Sequence, residues 1–210
     1  REAHPLAAGA AVGLAVAAKV FALLIVPFVL WRLGRRAWAI AVAAMLSLYA
    51  PFWLRGSAAD LAGLRAMAGD WEFNSSVFAV VGALCSREIA QVGCALGFGV
   101  VWLVVFIRWW RMGSYALPPG EWIYGSFLLL SATVNPWYCL WLWPFVAARP
   151  SLTGACALAA VSLAYVTGMN LGDASLGNFA HPAWLRPVEF GLVALTAIWA
   201  WHGRKHEARP

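Results

Sequence analysis

The chain has 210 residues, of which 63% are hydrophobic and only 11% charged, with a mean hydropathy of +0.73 and a formal net charge of +6. A soluble domain is usually about 45–50% apolar and about 25% charged, so the composition excludes an ordinary water-exposed globule and predicts a surface that largely faces lipid. The four cysteines, Cys85, Cys94, Cys139 and Cys156, form no CxxC pair, which removes any disulfide or metal framework built on such spacing.

Taken in chain order, the apolar runs predict seven spans, at about 6–31, 37–54, 90–107, 121–134, 137–148, 152–167 and 187–202. The first three reach or approach the roughly 20 residues that a bilayer crossing needs. The fourth and fifth are short and are split at Asn135 and Pro136, which predicts tilted or re-entrant helices. Non-helical backbone at that depth is tolerated only beside protein or a water-filled cavity. Two outer loops are large. Residues 55–89 hold a possible amphipathic stretch at 58–68, the polar run Asp70, Trp71, Glu72, Phe73, Asn74, Ser75, Ser76, and a short apolar helix over 78–85 with a serine near its start. Residues 168–186 form a Gly- and Asn-rich loop. The fold class is therefore all-α, a polytopic transmembrane bundle of about seven spans, some short or re-entrant, and residues 1–210 read as a single transmembrane domain.

The charges give that bundle a direction. If the spans alternate, Arg32, Arg35, Arg36, Arg108, Arg111, Arg149, Arg204, Lys205 and Arg209 all fall on one side. The other side mixes Arg1, Arg55, Arg65, Arg87 and Arg186 with Glu2, Asp60, Asp70, Glu72, Glu88, Asp173 and Glu189. The positive-inside rule makes the first side, with the C-terminus, cytoplasmic. The basic balance is thus a topology signal, and no nucleic-acid partner is read from it. Residue 1 then lies outside the cytoplasm, which needs a signal or an earlier span; the expectation is a C-terminal portion of a longer protein.

Few residues offer chemistry. Lys19 stands in the middle of the first apolar run, where a charge is costly and normally faces a cavity or a partner. It suits an anionic phosphate on a lipid headgroup, or pairs structurally with a carboxylate or helix carbonyls. Asn135 and Pro136, followed by Trp137, Tyr138 and Trp141, stand at the outer mouth of two short spans. Aromatics there are at home in the interface; beside a broken helix they also suit a sugar face or a polyprenyl chain. Trp71, Glu72, Asn74 and Ser75, with Asp70, supply the carboxylates and amides that hold sugar hydroxyls or act as a general base, or simply start a helix. His181 lies in the second outer loop. The catalytic group is open among Asp70, Glu72 and His181. No P-loop, GxSxG, HExxH or EF-hand pattern occurs, and no metal ligand set is predicted.

The lysine at 19 with Pro27 eight residues on and the Arg-rich turn at 32–36, then Trp71-Glu72-Phe73-Asn74-Ser75, then Asn135-Pro136-Trp137-Tyr138, occur in an order that resembles the polytopic GT-C glycosyltransferases, in particular bacterial polyprenyl-phosphate-mannose-dependent mannosyltransferases. The resemblance spans roughly 15–145. It implies a plasma-membrane hexosyltransferase that takes a sugar, mannosyl or another hexosyl, from a polyprenyl-phosphate donor to a glycan or glycolipid acceptor on the extracytoplasmic face. It implies a donor site at Lys19, Trp71, Asn74, Ser75, Asn135, Trp137, Tyr138 and Trp141, and leaves a divalent metal undetermined. That family carries its catalytic acid in an earlier outer loop, upstream of residue 1. Two other classes compete. A lipid or solute transporter predicts internal repeats, and none is found. A non-catalytic membrane scaffold predicts that Lys19 pairs within the protein.

Overall fold

A computed structural model describes residues 4–55, 69, 71–113, 117–166 and 181–207. Asp70, the stretch 58–68 and residues 168–180 lie outside them. The described residues are helical apart from one isolated bridge and short extended joints, so the architecture is all-α with no β-sheet among them. The chain divides into two units, residues 1–69 with 105–118, and residues 70–104 with 119–210.

In the first unit, α1 (Pro5–Ala18) packs along α3 (Arg35–Leu54). Gly9 and Gly13 of α1 lie directly against Ala37 and Ala41 of α3, and a Cβ on either glycine would collide with a backbone carbonyl. This is small-residue packing, in which two backbones approach closely for lack of side chains between them. Val16, Val26, Leu30, Ala37 and Ala41 form the core beneath it.

The predicted first span is not one helix. It stops at Lys19, whose backbone is extended (φ −151, ψ 117), tightens into a 3₁₀ turn over Val20–Leu24, and restarts as α2 (Val26–Leu30). Pro27 supplies the reason. Proline has no N–H, and its ring clashes with the carbonyl four residues back. The preceding turn therefore uses shorter bonds, from Ala22 N–H to Lys19 C=O and from Ile25 N–H to Ala22 C=O. Lys19 is exposed at this break instead of lying within a continuous helix.

Among the described residues two helices are long and apolar enough to cross a membrane: α3, and Arg87–Arg111, which begins in the second unit and ends in the first. Their most apolar stretches have mean hydropathies of 1.7 and 2.2, and little of either is buried in the molecule. Ile89, Val92, Leu96, Val100 and Leu103 recur every three or four residues and are each more than half exposed. Such a stripe is one helix face without a protein partner. The predicted spans at 6–31, 121–134, 137–148 and 152–167 are shorter or interrupted helices, whereas 187–202 lies in one continuous helix, Leu185–Glu207, that is long but less apolar.

The second unit contains α4 (Val77–Leu84), most of α5 (Arg87–Arg111), α6 (Gly120–Leu130), a 3₁₀ turn over Pro136–Trp141, α7 (Trp143–Ala148), α8 (Leu152–Ala160) with a 3₁₀ extension over Val161–Val166, and α9 (Leu185–Glu207). Phe78, Ala90 and Cys94 form one core under Leu130 and Ala132. The break foreseen at Asn135 and Pro136 is present, but α6 already ends at Leu130, and residues 131–135 run extended.

Candidate functional site

Two sequence motifs distant in the chain meet in the second unit. Phe73 forms a parallel bridge with Thr133: its N–H donates to Ala132 C=O at 3.0 Å, and its C=O accepts from Val134 N–H at 2.8 Å. Thr133 Oγ1 adds a bond to Trp71 C=O at 3.2 Å. The extended segment before Pro136 thereby finds partners for backbone groups that no helix satisfies. It also sets the 71–76 loop beside the 135–141 turn.

Asn74 is the centre of the loop. It has a left-handed backbone (φ 49) and is fully buried. Its Nδ2 donates to both Glu189 oxygens at 3.0 Å each, and its backbone N–H donates to His181 Nε2 at 3.1 Å. Glu189, in the first turns of α9, is only 3% exposed, and Cys139 of the 135–141 turn lies within its electrostatic reach. The His181 ring also packs on Phe73, 4.6 Å between centroids. Because Nε2 accepts a hydrogen bond, the imidazole is neutral and carries its proton on Nδ1. Burial, and then the nearby Arg186 guanidinium, hold its pKa below the usual histidine value.

A second polar group adjoins the first. Glu72 accepts Ser75 Oγ–H at 2.7 Å and lies between Arg87 (3.5 Å) and Arg186 (3.6 Å), which come from the N-terminal ends of α5 and α9. Its side chain is about one third exposed, so these ion pairs are screened by solvent. Arg87 also donates to Trp71 C=O at 3.2 Å. Two buried polar atoms have no partner among the described residues, the acceptor Asn74 Oδ1 and the donor Arg186 Nε. A hydroxyl group, which both donates and accepts, can complete either.

The loop serines do not cap the short helix that follows. Ser76 stands at the N-cap of α4, but its Oγ donates to Leu129 C=O at 2.9 Å, while Ser75 Oγ serves Glu72. Tertiary partners have taken the hydroxyls that capping would use.

Of the residues singled out from the sequence, Trp71, Glu72, Asn74, Ser75 and His181 come together. Asn135 stands at the N-cap of the 3₁₀ turn, two residues beyond the bridge. Trp137 is exposed, whereas Tyr138 is buried and stacks on Trp141 at 4.8 Å, within an aromatic cluster that includes Tyr124 and Phe127. Lys19 belongs to the other unit. Sequence reasoning counted Arg87, Arg186 and Glu189 only as outer-side charges. The spacing of Glu189 just inside an apolar run was the available signal for it. Thr133 carried none. Among the described residues no group of three or more His, Cys, Asp or Glu side chains could hold a metal ion.

Compared with known proteins, the chain matches no protein family, no curated protein and no solved structure. The fold and site define a class: a chain that is all-α in its described residues, with two helices among them long and apolar enough to cross a membrane, carrying a cluster of carboxylate, amide, imidazole and guanidinium groups.

Proposed function

We propose that this chain belongs to a bacterial plasma-membrane hexosyltransferase of GT-C type and forms a single transmembrane domain of about seven spans, some of them short or broken. It transfers a mannosyl or other hexosyl group from a polyprenyl-phosphate donor to a glycan or glycolipid acceptor on the extracytoplasmic face. The observation that carries this reading is the pair of buried polar atoms without a partner among the described residues, Asn74 Oδ1 and Arg186 Nε, beside Glu72 and Glu189. A hydroxyl-bearing ligand is the chemistry such a site accepts, and the exposed rings of Trp71 and Trp137 suit a sugar face.

In the transfer, the acceptor hydroxyl attacks the anomeric carbon, its proton passes to a base, and the polyprenyl phosphate leaves with the bonding pair. Asp70 lies outside the described residues, and the His181 Nε2 lone pair is engaged by Asn74. Glu72, with an exposed flank, and Asp70 are both candidate bases. Lys19, exposed at its helix break, is a cation of the kind that holds a lipid phosphate. One observation favours the scaffold reading: Asn74 Nδ2 donates to both oxygens of the buried Glu189 carboxylate and ties the loop to α9 without any ligand.

The test is transfer from radiolabelled polyprenyl-phosphate sugars by membranes expressing the complete open reading frame, beside Lys19→Ala, Asn135→Ala and Glu72→Gln at equal expression. Loss in all three variants supports the assignment. Unimpaired transfer removes these residues from the site, and no transfer from any such donor favours the scaffold or transporter reading.

A further inference from the structure

We propose that His181 is a pH-sensitive latch: protonation of its imidazole releases the 71–76 loop from its closed position on α9. Three features of the geometry meet at this point. The Nε2 lone pair is the acceptor for the Asn74 N–H at 3.1 Å, and an imidazolium has no lone pair to offer there. Asn74 is fully buried, so its N–H has no water to turn to once that acceptor is lost. Its left-handed backbone (φ 49) is one that a non-glycine residue holds only where surrounding contacts impose it. Losing one of those contacts therefore releases a conformation the chain does not prefer by itself.

The charges around the imidazole act in the same direction or are controlled for. Arg186 of α9 opposes a second positive charge. Arg87 of α5 pairs with Glu72 Oε2 at 3.5 Å, and Arg186 with Oε1 at 3.6 Å. Glu72 of the loop and Glu189 of α9 are the carboxylates that would favour an imidazolium, but Glu72 is shared by the two arginines and Glu189 by the Asn74 amide. Phe73 covers one face of the ring with apolar surface.

The sign follows from the lowered pKa of His181. The open loop binds the proton more tightly than the closed one, so closure is favoured above the ordinary histidine value. It is lost as pH falls from roughly 6.5 toward the lowered value. Across that window the opening equilibrium rises by up to about tenfold per pH unit, as one proton requires.

Hydrogen exchange of peptides covering 71–78, in the detergent-solubilised full chain and corrected for intrinsic rates, reads this directly. Wild type should lose protection steeply between pH 7 and 5. His181→Gln, whose amide oxygen can still accept but does not titrate, should keep it nearly flat. A residual slope shared by both proteins does not arise from His181. Equal slopes in wild type and His181→Gln would overturn the latch. If His181→Gln opens the loop at every pH, His181→Asn, measured alongside, supplies a second non-titrating acceptor, and a wild-type slope persisting in it has the same meaning. The readout does not involve sugar transfer, so the latch can stand or fall independently of the enzyme reading.

Discussion

Asn74 carries three duties that few residues combine: a left-handed backbone, a buried amide donor for Glu189, and a backbone donor for His181. Asn74→Ala leaves the buried Glu189 carboxylate without its donor and puts a Cβ-bearing residue with no local hydrogen bonding in the left-handed region. It should destabilise the second unit by about 3 kcal/mol. Asn74→Gly should be milder by about 1 kcal/mol, because glycine adopts that backbone without penalty. Thermal unfolding of the two variants in detergent checks the order. The motif around Asn74 was visible in the sequence as a polar run in an outer loop. Its partner Glu189 was not, since pairing across 115 positions is decided by how α9 returns.

The helices of the first unit depend on what is missing from them. Gly9 and Gly13 admit α3 to backbone contact, and larger side chains would push the helices apart. Gly13→Val should cost about 1–3 kcal/mol through overpacking, whereas Gly99→Ala, with open space around it, should leave stability nearly unchanged. The comparison uses the melting midpoint of the solubilised protein. The G-x-x-x-G spacing was present in the sequence, yet only the facing alanines show that it is used. In the second unit, Thr133→Val removes the hydroxyl that ties the bridge to Trp71 and should cost about 1 kcal/mol. The break at Lys19, ahead of Pro27, was hidden in an apolar run that read as one span, whereas Pro136 made the break near residue 136 legible. The bridge between Phe73 and Thr133 was not, because two residues of extended backbone leave no periodic pattern.

Across the molecule, the basic residues and the exposed apolar stripes make one argument. Arg32 donates to Trp110 C=O at 3.0 Å and lies over the Trp109 ring, so the 32–36 turn and the end of α5 share one end of the first unit. That places Arg32, Arg35, Arg36, Arg108 and Arg111 together, as a cytoplasmic face would require. Cys85 is exposed at the end of α4, whereas Cys94 and Cys139 are buried. A variant retaining only Cys85 should react with a membrane-impermeant maleimide added from outside intact cells whose outer barrier is permeabilised. Variants retaining only Cys94 or only Cys139 should react after denaturation alone. Labelling of Cys85 only from the cytoplasmic side would reverse the topology.

The sequence alone determined that the chain is helical, apolar beyond the needs of a soluble core, broken beside Pro136, and equipped with a polar run at 70–76. Those properties are local, set by side-chain chemistry and by proline's missing N–H. The tertiary structure decided the rest. It alone showed that Asn74 faces Glu189 and His181, that Glu72 lies between two arginines, that Tyr138 stacks inward on Trp141, and that Lys19 stands at an exposed break. Each is a contact between groups distant in the chain or a response to such a contact, and its energy exists only once packing has brought the partners within a few ångströms.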